Sequence, residues 1–263
     1  MTGPRGFHCE RRIPNGGTAS NYASLINGWI DVTVDYTGTG CLLLCQPHRG
    51  RSAEQIIDGL NAVSMERHGF EWLRPLGTST DYCLVTTRAL AERHGLKRAS
   101  QLAGELRGQL RFCGNFEFMD RLDGLVGLKS HYLLSFASEE VCSFDDRYDM
   151  IERGDADVTI GHTTDPQIAA MDLVILEDDQ EFFPRYFEVP MARTAALEQI
   201  PELRGALLEL AELGLTNRDI TALVQDHADN PPSLASSVRA RLEHLGRGAQ
   251  KRPAPRQPTR AAE

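Results

Sequence analysis

The sequence predicts an α/β protein with largely parallel sheets, arranged as two similar lobes around one cleft. Two observations predict it. Strand-like and helix-like stretches alternate through most of the chain. The phrase Gly28-Trp-Ile-Asp-Val-Thr-Val-Asp-Tyr-Thr-Gly-Thr39 also returns as Gly154-Asp-Ala-Asp-Val-Thr-Ile-Gly-His-Thr-Thr-Asp165. Each copy follows a helical run, turns at a glycine and enters Asp-Val-Thr. Each ends in a ring and a threonine, Tyr36-Thr37 in one and His162-Thr163 in the other. Ligands of open α/β sheets bind just past the carboxyl ends of strands, so two such units point to one shared gap. The plainer alternative is that Gly-x-x-Asp-Val is a common helix-to-strand connection and the match is chance.

The elements follow in order. Ser52 and Gln55 form a capping box, Ile56, Ile57, Leu60 and Val63 give the helical stripe behind it, and Gly69 ends it. Tyr82–Thr87 reads as a strand, Ala89–Gly95 as a short helix and Leu110–Cys113 as a strand. Glu139–Arg153 has a helical period through Val141, Phe144, Tyr148 and Ile151. Asp157–Gly161 is a strand, and the run Asp172–Leu176 is a buried one. Pro201 sits at a helix start ahead of Leu203, Leu207, Leu208 and Leu210. Thr216 with Asp219 starts another helix, and Pro231-Pro232 separates it from a last one over Leu234–Leu245. Residues 247–263 hold Lys251, Arg252, Arg256 and Arg260 among prolines, with no large apolar residue, and read as a disordered basic tail.

The bulk numbers narrow the function. The chain has 263 residues, 41% hydrophobic and 25% charged, enough for one large domain or two lobes. A net charge of -9 argues against a nucleic-acid partner, which calls for a basic face. No apolar run approaches the roughly 20 residues that span a bilayer. The first residues show no signal-peptide pattern. The six cysteines are scattered through a long chain and do not form a disulfide framework.

Motifs for chemistry are sparse. There is no Gly-x-Ser-x-Gly, P-loop or Gly-x-Gly-x-x-Gly, so neither a hydrolase nucleophile nor a nucleotide cofactor is indicated. Cys41-Leu-Leu-Leu-Cys45 followed by His48 lacks the spacing of a zinc site and reads as a buried helix start. Asp178-Asp179, near Glu177 and Glu181, reads as a solvated connecting loop rather than an acid–base pair.

Several stretches together carry a family resemblance. They are Gly16-Gly-Thr18 with Asn21, Leu25-Ile-Asn-Gly28, Ile30-Asp-Val32, Asp35-Tyr-Thr-Gly-Thr39 and Trp72-Leu-x-Pro-Leu-Gly77. Phe118-x-x-Arg121-x-Asp-Gly-Leu125 with Gly127-Leu128, Thr163-Thr-Asp165, Asp172-Leu-Val-x-Leu-Glu-Asp-Asp179 and Phe182-Phe-Pro-x-Tyr186 complete the set. In this order, over about residues 6–225, they resemble the substrate-binding proteins of ABC importers for glycine betaine, choline and carnitine.

That resemblance implies a type II periplasmic-binding-protein fold. Lobe I would hold residues 1–79 and 184–246, and lobe II residues 80–183. The crossovers would fall near Ser79–Tyr82 and Asp178–Phe183. The lobes would close on ligand by hinge motion, outside the cytoplasm, and dock on a permease served by an ATPase. A binding or sensing lobe for another amine, or an enzyme on the same fold, are the rival functions. No base–nucleophile pair favours the enzyme.

The resemblance also implies site residues. A quaternary ammonium has no N–H to donate, so proteins attract it with aromatic faces, each worth about 0.5–2 kcal/mol. Family positions map onto Tyr36, Tyr82 and Tyr186, with Thr39 and Arg121 placed for a betaine carboxylate. Read without the family, Tyr82 is plain core, Tyr186 is lobe packing, and Arg121 is a surface ion pair beside Asp120 and Asp123.

Three departures stand out. His162 occupies a position where the family usually has tyrosine. It implies either pH-dependent quaternary-amine binding or a different ligand, such as a histidine-derived betaine. The crossover Gly77-Thr-Ser-Thr-Asp-Tyr82 lacks the family's asparagines. Met1 falls where the family's first β–α unit has just ended, so that unit is expected to be missing and the chain poorly soluble on its own.

Overall fold

The computed structural model describes residues 9–10, 12, 17–121, 123–229 and 236–241. The expected tail, Gly16 and the ends of the expected helix at 234–245 lie outside the described residues. Within them the repeated phrase is a repeated structure. Helix α1 (Gly17–Ile26) gives way to Gly28, whose φ of 72° is a left-handed angle that suits glycine. Strand β1 (Val32–Tyr36) follows, and helix α2 (Thr37–Leu43) begins directly after it. Helix α3 (Ala53–His68) carries the expected capping box. Ser52 Oγ accepts from the Gln55 N–H at 3.3 Å, and Gln55 Oε1 accepts from the Ser52 N–H at 2.9 Å. Strand β2 (Phe70–Trp72) comes next.

Strand β3 (Tyr82–Thr87) opens the second half. Helix α4 (Arg88–His94), strand β4 (Arg111–Asn115), helices α5 (Phe116–Asp120) and α6 (Leu125–Tyr132), and strand β5 (Ser138–Cys142) lead to helix α7 (Asp146–Arg153). Gly154, at φ 74°, turns the chain into strand β6 (Val158–His162), at the same offset as Gly28 from β1. Helix α8 (Pro166–Ala170) and strand β7 (Leu173–Leu176) complete this half. The chain returns through strand β8 (Glu188–Arg193) and helices α9 (Thr194–Gln199), α10 (Pro201–Glu212) and α11 (Asn217–Asp229). Residues 236–241 are also helical.

The sheets are mixed rather than largely parallel. The smaller one has the order β1-β8-β2 and is antiparallel throughout. The larger one has the order β5-β4-β6-β3-β7. Only β4 pairs parallel, with β5 and β6, whereas β3 runs antiparallel to both β6 and β7. Alternating helix and strand signals reveal the elements but not their neighbours. Strand β3 arrives from the other half of the molecule and inserts against the direction of β6 and β7.

Three further expectations change. Residues 138–142 form strand β5, and the helix begins only at Asp146, where Ser143 Oγ accepts from the Asp146 N–H at 3.1 Å. Strand β5 is an exposed edge with Glu139 and Glu140 on it, so Val141 matched a helical period without being part of a buried stripe. Strand β7 is the other edge and is half-buried, with Ile175 exposed. The leucines after Cys41 are likewise exposed: Cys41 is buried at the end of α2, while Leu42, Leu43 and Cys45 face outward.

Each sheet has its own core. Tyr22, Leu25, Ile57, Leu60, Phe70, Trp72 and Met191 pack around the smaller one. The larger sheet is covered on both faces, by Leu84, Phe112, Phe118, Leu128 and Ile160 on one and by Cys83, Val85, Tyr148 and Ile151 on the other. The two chain segments that join the halves pair with each other. The Leu76 N–H donates to Glu188 O, the Glu188 N–H to Thr78 O, and the Thr80 N–H to Tyr186 O, at 2.9, 3.2 and 3.1 Å. Asp81 secures the joint, accepting from the Tyr186 N–H at 2.7 Å and from Arg185 Nη1 at 3.0 Å. Among the described residues, no helix is long and apolar enough to cross a membrane.

Candidate functional site

A cleft of about 380 Å³ lies between the halves at the strand ends. Tyr36, Thr39, Tyr82, Arg121, His162 and Tyr186 all line it. The first four sit at the end of β1, in the first turn of α2, at the start of β3 and just after α5. His162 closes β6, and Tyr186 precedes β8. The strand registers put them there. Tyr82 is the direct partner of His162 across β3 and β6, and Tyr36 is the partner of Glu188 across β1 and β8.

The rings form a continuous series. Tyr36 meets Tyr186 edge-on at 6.4 Å between centroids, and Tyr186 meets Tyr82 edge-on at 5.3 Å. His162 lies 4.7 Å from Tyr82, and Phe144 lies 5.4 Å beyond His162. Tyr82 also packs on Phe118 and Phe183, so it serves the core and the cleft together. Tyr186 is 4% exposed, and its hydroxyl has no partner among the described residues. Burial, with Glu188 next, pushes the Tyr36 hydroxyl up to about 12, and burial raises those of Tyr82 and Tyr186 too. The tyrosines are therefore neutral π-faces at any ordinary pH.

Arg121 is held from behind. Its Nε donates to Asp123 Oδ1 at 2.7 Å, its Nη2 to Asp123 Oδ2, and its Nη1 to Glu117 Oε1 at 2.7 Å. The Asp123 hydrogen bonds, ahead of any other cause, hold its pKa above the ordinary arginine value. A guanidinium has five N–H donors, so two remain for a ligand.

His162 rests on a buried polar hub. Asp165 Oδ2 accepts from the His162 N–H at 2.8 Å, from Tyr148 Oη at 2.7 Å and from Arg147 Nη2 at 2.6 Å. The Arg147 guanidinium is buried and stacks 3.6 Å over the Phe144 ring. Burial lowers the His162 pKa below its ordinary value and Arg147 adds to this, while Asp165 opposes it. Gly161 makes the hub possible, because a Cβ there would stand 2.4 Å from Tyr148 Oη.

Thr80, Glu117, Phe144, Thr164, Asp165, Glu188, Ile220 and Val224 also line the cleft, and none of them is among the site residues the sequence implies. Phe144 matches a helical period in the sequence but lies between β5 and α7. Ile220 and Val224 arrive on α11, whose start is tied to the joint by Asn217 Oδ1 accepting from the Ser79 N–H at 3.0 Å. Glu188 did carry a signal, as a lone carboxylate in the apolar strand Glu188–Arg193. Among the described residues, no three His, Cys, Asp or Glu side chains are grouped to hold a metal.

Two sheet-centred halves with an aromatic cleft at their strand ends are the architecture of the type II periplasmic-binding-protein fold. The chain belongs to the family described as the substrate binding domain of ABC-type glycine betaine transport systems, whose model matches residues 5–238. A crystal structure of a glycine betaine/carnitine/choline ABC transporter superposes with a TM-score of 0.73, covering 88% of this chain and 85% of that one at 25% identity. Among curated relatives, the ergothioneine transport permease/ergothioneine binding protein EgtU of Helicobacter pylori is 28% identical over 88% of this chain and 41% of its own length. The carnitine transport binding protein OpuCC of Listeria monocytogenes is 26% identical over 74% of this chain and 64% of its own. The chain thus spans less than two thirds of these two relatives.

Proposed function

We propose that the chain captures a quaternary ammonium solute for an ABC importer, outside the cytoplasm, and delivers it to a permease driven by an ATPase. It acts as a binding protein and not as an enzyme. Of the described residues, those within 1–79 and 184–246 form one lobe and those within 80–183 the other, with the paired joint segments as the hinge. The observation that supports this is the ring series Tyr36, Tyr186, Tyr82 and His162, drawn from both halves onto one cleft. The methylated nitrogen sits against these rings. The two N–H groups of Arg121 left free by its carboxylate partners, together with Thr39, hold a carboxylate where the ligand has one.

A histidine-derived betaine is the second reading. The position of His162 between the tilted rings of Tyr82 and Phe144 supports it, as does the relative named for ergothioneine.

Calorimetric titration of the full chain with choline, carnitine and glycine betaine tests the proposal. At least one binds, and the neutral carbon isostere of choline does not. Equal affinity for the isostere sinks the cation reading. Tyr36→Ala weakens binding by about 0.5–2 kcal/mol while the fold persists.

A further inference from the structure

Glu188 is a buried carboxylate that lines the cleft and belongs to no ion pair there. The cleft's ion pairs join Arg121 to Glu117 and Asp123, and Arg147 to Asp165. Among the described residues, no cation is paired with Glu188. Its side chain is fixed by hydroxyls instead. Thr78 Oγ1 donates to Oε2, and Thr80 Oγ1 donates to Oε1 at 2.8 Å. Both threonines lie in the crossover Gly77-Thr-Ser-Thr-Asp-Tyr82. A carboxylate has about four lone-pair sites, and the threonines occupy two. The other two belong to a group 8% exposed, next to the ring of Tyr36, its partner across β1 and β8. A buried anion without a counter-charge is costly unless something donates to it.

We propose that Glu188 is a specificity-determining residue that selects quaternary ammonium ligands carrying an O–H or N–H donor beside the methylated nitrogen. The proposal rests on the quaternary-ammonium reading of the cleft. The trimethylammonium meets the rings and the donor meets the free lone pairs of Glu188. A ligand without such a donor leaves those lone pairs unmet and is disfavoured. The two donor chemistries are a hydroxyl, as in choline, and a ring N–H, as in trimethylhistidine.

The test is calorimetry on the full chain near neutral pH with choline, trimethylhistidine and glycine betaine, which has no donor. Either donor ligand, or both, binds the unaltered chain about tenfold or more tightly than glycine betaine, since a hydrogen bond to a charged group is at stake. Binding by choline alone identifies the hydroxyl source, and by trimethylhistidine alone the ring source. Glu188→Gln keeps the size and an acceptor for the threonines. It weakens the donor ligand about tenfold and leaves glycine betaine unchanged or improved.

A wild-type ranking with glycine betaine first or equal overturns the proposal while leaving the quaternary-ammonium reading intact. An equal loss for all ligands in Glu188→Gln also overturns it, because it assigns Glu188 to holding the joint. Binding of none by the unaltered chain overturns both. The ranking needs no variant, so a misfolded Glu188→Gln does not remove the test.

Discussion

A Cβ on Gly38 would stand 2.7 Å from Cε1 of Tyr186. The glycine of the Tyr-Thr-Gly-Thr stretch thus lets helix α2 lie directly against the ring that joins Tyr36 to Tyr82. Tyr186 is buried, and its neighbour Pro184 also crowds the site, so the ring has little room to yield. Gly38→Ala is expected to destabilise the fold by about 1–3 kcal/mol, as overpacking does. It is also expected to weaken quaternary-amine binding. Thermal melts and titration read the two effects. An alanine variant with unchanged melting and affinity contradicts the close packing.

His162 supports a pH-dependent expectation. Asp165 and Arg147 face the imidazole from its polar side, and Tyr82 and Phe144 face it from the rings. Burial keeps its pKa below the ordinary 6.5, so the ring is neutral at pH 7 and above. Protonation repels a cationic ligand. Choline affinity is therefore expected to stay level from pH 8 to 7 and to fall only on the acid side of the ordinary histidine range. His162→Tyr is expected to flatten that fall, which separates it from protonation of nearby carboxylates. An acid-side fall that persists unchanged in His162→Tyr rules out a role for the imidazole charge.

Much of the cleft's lining was readable in sequence because its residues lie at element ends. Tyr36 and His162 close strands that follow a glycine turn, and such a phrase is local. Residues that reach the cleft through pairing or packing were not readable. Glu188 is there because β8 pairs with β1, and Ile220 because α11 is anchored at Ser79. The same limit explains strand β5. Val141 and Phe144 sit at helical spacing with Tyr148, but residues 138–142 pair with β4, and a nonlocal partner leaves no periodic trace. The mixed sheet direction was hidden for the same reason.

Arg121 separates ligands by charge. Asp123 and Glu117 orient its guanidinium, and the residue lines the cleft. Arg121→Met is expected to cost glycine betaine about tenfold to a hundredfold in affinity, the range for a charge-assisted hydrogen bond. Choline, which has no carboxylate, is expected to keep its affinity or gain. Parallel titrations decide it. A uniform loss assigns Arg121 to the ion-pair framework alone.

Asp35 gives an expectation that involves stability rather than ligand. It lies one residue before Tyr36 and is 4% exposed. Its Oδ1 accepts from the Tyr36 N–H at 2.7 Å, while Oδ2 has no partner among the described residues. Burial raises its carboxyl from 3.8 to about 6, against the opposing pull of that N–H. A raised carboxyl means that the folded state holds the proton more tightly than the unfolded one. The cost of burying the charge is therefore fully present above about pH 6 and disappears as the pH falls towards 4. Asp35→Asn keeps an acceptor for the Tyr36 N–H and removes the charge. It is expected to stabilise the fold at pH 8 by about 1–3 kcal/mol, from roughly two pKa units of differential protonation. The gain is expected to shrink to nothing by about pH 4. Melting curves of both chains across that range check it. A difference that does not vary with pH shows that the Asp35 charge is not what the fold pays to bury.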